Sequence, residues 1–120
     1  MKIENIKFKA KKTLDGKWIK GDLVHHKDSD NVWITDYENQ LTSPVDQSTV
    51  CQFTGLKDTN DVPIFEGDII AFDGEGEVVF KDGAFYAKFG KYTECLLCNL
   101  VKSGLSVTIV GNKFDKRNSV

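Results

Sequence analysis

Residues 64–89 read IFEGDIIAFDGEGEVVFKDGAFYAKF, and this stretch decides the fold class. Ile69–Phe72 and Glu77–Lys81 are short apolar runs bounded by Gly and Asp. Between Glu77–Lys81 and Ala84–Phe89 lies Asp82-Gly83, a dipeptide suited to a tight hairpin turn, whose central positions both need positive φ. Upstream, VCQFT at 50–54 reads as a strand. It is followed by KDTND at 57–61, a turn cluster, since Asn and Asp tolerate left-handed backbone and bond it with their own side chains. Residues 2–12 and 17–25 read as an antiparallel hairpin around Asp15-Gly16. Lys27–Asn31 is turn chemistry, and Val32–Thr35 a short strand. Residues 38–48, with Pro44, read as a loop. Downstream, Thr93–Val101 is ambiguous between a strand and two turns of helix, and Val107–Val110 closes the series before Gly111-Asn112.

Short strands with turn signals at regular spacing imply an all-β barrel or sandwich. The expected organisation is one compact domain over residues 1–115, with an N-terminal β-hairpin and a barrel-like part from about 50 to 112. Phe53, Phe65, Phe72, Phe80, Phe85 and Phe89 lie in strands with polar or small neighbours and are expected in the core, because an apolar ring left in water costs on the order of 2 kcal/mol.

Composition narrows the function classes. Charged residues make up 28% and Pro only 2 of 120 residues, which excludes collagen-like and disordered chains. No apolar run is long enough for a transmembrane helix, so no membrane is expected. Met1–Ala10 carries Lys2, Lys7 and Lys9 without an apolar core, so a secretory signal is not expected. Three cysteines, an odd number, fit a reducing cytoplasm with thiols serving as small hydrophobes. The net charge of −2 argues weakly against a dedicated nucleic-acid binder. Its distribution is uneven: residues 1–20 and 81–120 are basic, and residues 21–80 acidic. An ordinary solvated surface, head-to-tail contact between protomers, and a basic face for phosphate all remain open.

Most candidate chemistry fails on the residues. Cys95 and Cys98 form a CxxC without the βαβ context of a redox pair or a second pair to complete a zinc site, so no metal and no cofactor are expected. Asp28-Ser29-Asp30 lacks the Gly and Glu of a calcium loop, having Trp33 and Asn39 in those places. Gly74-Glu75-Gly76 lacks the third glycine of a dinucleotide loop. His25-His26 reads as a surface turn. Glu66 and Asp68 share one face of a strand and could do acid–base work, but Asp68 is better placed to fix the Gly67 turn.

The run QFTGLKDTN at 52–60 followed by IFEGDII at 64–70 closely resembles the YopX family of bacteriophage and prophage proteins, which shows QYTGLKDKNG and then IYEGDIV. The opening IKFKA at 6–10 is similar to that family's IKFRA or IKFRG, Val78–Phe85 to its central strand pair, and IVGN at 109–112 to its closing IGN. Two departures stand out: Asp61 replaces the usual Gly, and the tail lacks Asn-Pro-Glu-Leu, so residues 116–120 are expected to fray. The resemblance implies an all-β accessory protein whose central segment is similar to an SH3-like barrel. It supplies no catalytic residues. Gln52, Phe53, Thr54, Gly55, Leu56, Asp58, Glu66, Gly67 and Asp68 are the family motif, expected to be structural. The expected function is non-enzymatic, by self-assembly into a homo-oligomer or by binding a phage or host protein in the bacterial cytoplasm. The alternatives are a nucleic-acid-binding module using Lys7, Lys9, Lys11, Lys12, Lys88 and Lys91, and an enzyme using Glu66, Asp68 or the histidines.

Overall fold

Phe8 and Ala10 alternate with Lys9 and Lys11, which makes β1 (Phe8–Lys11) a strand with one apolar side. It pairs antiparallel with β2 (Trp18–His25), Ala10 opposite Ile19 and Lys11 opposite Trp18. The computed structural model describes residues 2–115. The chain divides into two compact units at Phe53 and Thr54.

In the first unit, β3 (Val32–Asp36) and β4 (Thr42–Val45) continue the antiparallel meander from β2. Ala10, Ile19, Val32, Ile34 and Val45 are buried on its inner side, with Phe8, Leu23 and Val50 packed against them. The end of β4 returns to the end of β1. Lys12 bridges Val45, the Asp46 N–H donates to the Lys11 carbonyl at 2.8 Å, and the Thr13 N–H to the Pro44 carbonyl at 3.2 Å. A 3-10 turn at Gln47–Thr49 follows, capped by the Asp46 carboxylate, which accepts the Ser48 N–H.

Two local expectations are corrected here. Residues 38–48 are not all loop, because Thr42–Val45 forms β4 with Pro44 inside it. Proline is tolerated because β4 is last in the strand order, so the missing N–H breaks no interior ladder. Asp15-Gly16 is not a two-residue turn. Only Gly16 has positive φ; the Asp15 carboxylate takes the Lys17 N–H at 2.9 Å, and the Lys12 N–H reaches the Lys17 carbonyl across a wider connection.

β5 (Cys51–Lys57) runs through the division, with Gln52 and Cys51 opposite Phe8 and Lys9 of β1 and β6 (Pro63–Phe65) as its other neighbour. The second unit adds β7 (Asp68–Ala71), β8 (Glu75–Lys81), β9 (Ala84–Phe89), β10 (Thr93–Leu96), α1 (Leu97–Val101) and β11 (Thr108–Asn112). The ambiguous stretch is therefore strand and then helix. Its five-stranded sheet has the order β10-β9-β8-β7-β11 with antiparallel pairings throughout. Ile64, Ile70, Val78, Ala87, Leu97, Leu100 and Val107 form its buried core. Leu97 and Leu100, three apart, put one side of α1 into that core. Asp82 and Gly83 take φ of 52° and 82°, the two positive values the tight hairpin requires.

The protein is thus all-β, with two antiparallel sheets. Residues 50–112, where an SH3-like barrel is expected, form no closed barrel: the second sheet is open, with β10 at one end and β11 at the other. The outer side of β11 is met instead by Asp58, which accepts the Ile109 N–H, as described below. Of the six phenylalanines, Phe53 and Phe65 are buried, and Phe72, Phe85 and Phe89 are partly buried against the second core. Phe80 is 49% exposed and packs its ring 4.9 Å from that of Phe85. The expected fraying of 116–120 lies outside the described residues.

Candidate functional site

The motif residues build turns. Gln52 is exposed on β5, while Phe53 is buried with the Lys7 ammonium 4.5 Å above its ring. The Thr54 hydroxyl donates to the Ile64 carbonyl at 2.8 Å and accepts the Leu56 N–H at 3.1 Å. Gly55 lies between them in left-handed backbone, and Leu56 packs on the second core. Asp58 is buried. One of its carboxylate oxygens accepts the N–H groups of Asn60 and Val62, both at 2.9 Å. The other accepts the Ile109 N–H at 3.1 Å. Beside it, the Thr59 N–H donates to the Val107 carbonyl and the Thr59 hydroxyl accepts the Val107 N–H, both at 2.8 Å. Residues 58–59 therefore occupy the outer edge of β11 and its approach, sealing backbone groups that would otherwise template pairing with another chain.

That seal is testable. Thr59→Val keeps the side chain's shape and leaves the Val107 N–H without its acceptor, a loss of about 1 kcal/mol. Thermal unfolding monitored by circular dichroism should show a midpoint lower by about 4 °C; an unchanged midpoint would show that the hydroxyl does not hold the edge.

The second motif turn is tighter. Gly67 sits at φ 87°, a region a side chain disfavours. Its N–H donates to the Val78 carbonyl and its carbonyl accepts the Lys113 N–H. Asp68 is buried, accepting the Phe65 N–H at 2.8 Å on one oxygen and the Asn112 side-chain N–H at 3.0 Å on the other. Asn112, also buried, uses its own oxygen for the Phe114 N–H. Glu66 is half-buried beside them. The carboxylates of Asp58 and Asp68 thus hold backbone and amide groups, an architectural use of their lone pairs.

The six lysines do not form one row. Lys9 and Lys11 share one side of β1, Lys7 immediately precedes the strand, and all three are half-buried. The Lys9 and Lys11 ammonium groups stand 4.8 Å and 5.5 Å from the Trp18 ring centre. Their stems cover aromatic surface, a contact worth about 0.5–1 kcal/mol each. Lys12 pairs with Asp15 at 3.4 Å. Lys88 and Lys91 are exposed in the second unit. His25 and His26 are exposed, the latter with its ring edge-on to Trp33 at 5.4 Å. Cys51, Cys95 and Cys98 form no disulfide among the described residues, and the Cys51 thiol donates to the Thr49 carbonyl at 3.2 Å. Among the described residues no three His, Cys, Asp or Glu side chains come together in a way that could hold a metal ion.

The arrangement missed by sequence reading lies at β10. This strand ends the sheet order, and its two sides differ. Thr93 opposite Phe89 and Cys95 opposite Ala87 face the core side. There Phe72, Asp73, Phe89, Thr93 and Cys95 line a cavity of about 320 Å³, with the Phe72 and Phe89 rings 6.3 Å apart. Glu94 opposite Lys88 faces the other side. There Lys81, Lys88, Lys91, Tyr92, Thr93 and Glu94 line a cavity of about 310 Å³. The Lys81 ammonium donates to Glu94 at 2.6 Å, and this bond holds Lys81 above its ordinary range. Tyr92 is 88% exposed, its ring 5.5 Å from the Lys91 ammonium. Lysines at 81, 88 and 91 are visible in the sequence, but nothing local marks β10 as the terminal strand.

The model of the family described as YopX protein matches residues 7–118, taking in β1 and every later element. No curated protein matches the chain.

Proposed function

This chain belongs to the YopX family, and from that premise we propose that it is a non-enzymatic phage or prophage accessory protein that acts by binding protein. One observation carries the reading: the second sheet has one edge plugged by its own motif and the other, β10, unoccupied by any described strand. An extended segment adds to such an edge through backbone hydrogen bonds, with side-chain pockets supplying specificity. The engaged carboxylates of Asp58 and Asp68 support the non-enzymatic part. The odd cysteine count fits a reducing compartment, the bacterial cytoplasm. No helix is long and apolar enough to cross a membrane among the described residues. Nucleic acid is favoured less, because Lys7 lies over the Phe53 ring and Lys9 and Lys11 over the Trp18 ring.

Selection from a displayed library of linear peptides tests the reading. The wild type should enrich extended peptides. Leu96→Glu places a charge on the edge strand at an exposed position, and enrichment should fall about tenfold. Failure to enrich any peptide would remove the proposal. The homo-oligomer part is tested by sedimentation: a strict monomer at high concentration excludes it, and association that Leu96→Lys abolishes places a second copy on β10.

A further inference from the structure

We infer that the β10 edge is shaped for an acidic, alternately apolar strand from another protein; this deepens the edge-binding reading and rests on it. A strand laid beside Thr93–Leu96 points successive side chains to opposite faces, about 3.3 Å apart along the chain. The two cavities straddle that line, and Thr93 lines both. On the core side an incoming side chain meets the Phe72 and Phe89 rings and the Cys95 thiol, with Asp73 at the rim. That slot suits an aliphatic or aromatic group. Each cavity is at the small end of the range for ligand sites and suits single side chains.

On the opposite face, an incoming side chain meets three ammonium groups and one carboxylate. Glu94 is engaged by Lys81 and lies opposite Lys88. Lys91 carries the positive excess to the exposed rim, next to Tyr92. A carboxylate there gains complementary charge, and a lysine there meets like charge. Alternation of one acidic and one apolar residue therefore matches both faces at once. The same excess disfavours a second copy at this edge, because β10 against β10 brings six lysines together with two glutamates, twice the set of one chain.

Two fluorescently labelled linear peptides, one alternating Glu with Val and one alternating Lys with Val, are titrated into the full chain and read by anisotropy. The acidic peptide should bind at least about tenfold tighter, and more weakly as salt is raised. Lys91→Glu should lose about tenfold in affinity for it without a change in thermal midpoint, since Lys91 is exposed in a turn. Equal binding of the two peptides overturns the charge assignment and leaves edge binding standing. Binding of neither overturns both. Acidic-peptide binding that survives both Lys91→Glu and Leu96→Glu lies elsewhere and overturns the proposal, as does its displacement by a single-stranded oligonucleotide.

Discussion

Asp68→Ala is expected to lower unfolding free energy by about 4 kcal/mol, read as a drop in the urea midpoint at unchanged slope. Asp68 is 2% exposed. Its loss strands the Phe65 N–H and the Asn112 amide, each a buried group whose desolvation is then uncompensated, at about 1–3 kcal/mol apiece. That is a large share of the 5–15 kcal/mol typical of a domain. A double replacement separates pairing from lost volume. Asp68→Asn combined with Asn112→Asp exchanges donor and acceptor across the same gap: the new amide still accepts the Phe65 N–H and donates to the new carboxylate, which keeps an oxygen for Phe114. The double variant should recover part of what either single replacement loses. If it is no better than the worse single variant, the pair is not the source of the stability.

Gly21→Ala is expected to cost about 3 kcal/mol, read in the same titration. A Cβ at Gly21 would fall 1.8 Å from the Thr35 carbonyl oxygen and 2.7 Å from its carbon. Both are backbone atoms of the partner strand, so no rotamer change relieves the clash. β2 and β3 must part where Gly21 faces Asp36 and Asp22 faces Thr35, between the buried Ile19 and Ile34. Gly76→Ala is the control. There the Cβ would meet the Phe89 ring at 2.7 Å, and a side chain can turn aside, so about 1 kcal/mol is expected. Equal losses at the two glycines would contradict the close approach of the strands at Gly21.

The motif shows why some roles were readable in one dimension. Asp68 follows a glycine at a chain reversal, and its bond to the Phe65 N–H spans three residues, within the reach of local turn chemistry. The bonds from residues 58 and 59 to Ile109 and Val107 span 51 and 48 residues. They depend on which strand is delivered beside the turn, and no local signal states that. The β1 lysines show the same limit. Their common side follows from a two-residue repeat, but the stacking of Lys9 and Lys11 on Trp18 depends on the hairpin register that sets Lys11 against Trp18.

Much of the short-range physics was legible: alternation marked strands such as β1, Asp82-Gly83 its turn, and short strands with regularly spaced turn signals the all-β class, because backbone sterics and burial act over a few residues. The closure expected for residues 50–112, the strand character of Thr42–Val45 around Pro44, and the cavities beside β10 were settled only in three dimensions. Whether a strand is interior or terminal is a property of the whole sheet. Among the described residues β9 alone pairs with β10, which leaves β10 an open edge, while β11 is met by a turn half the chain away.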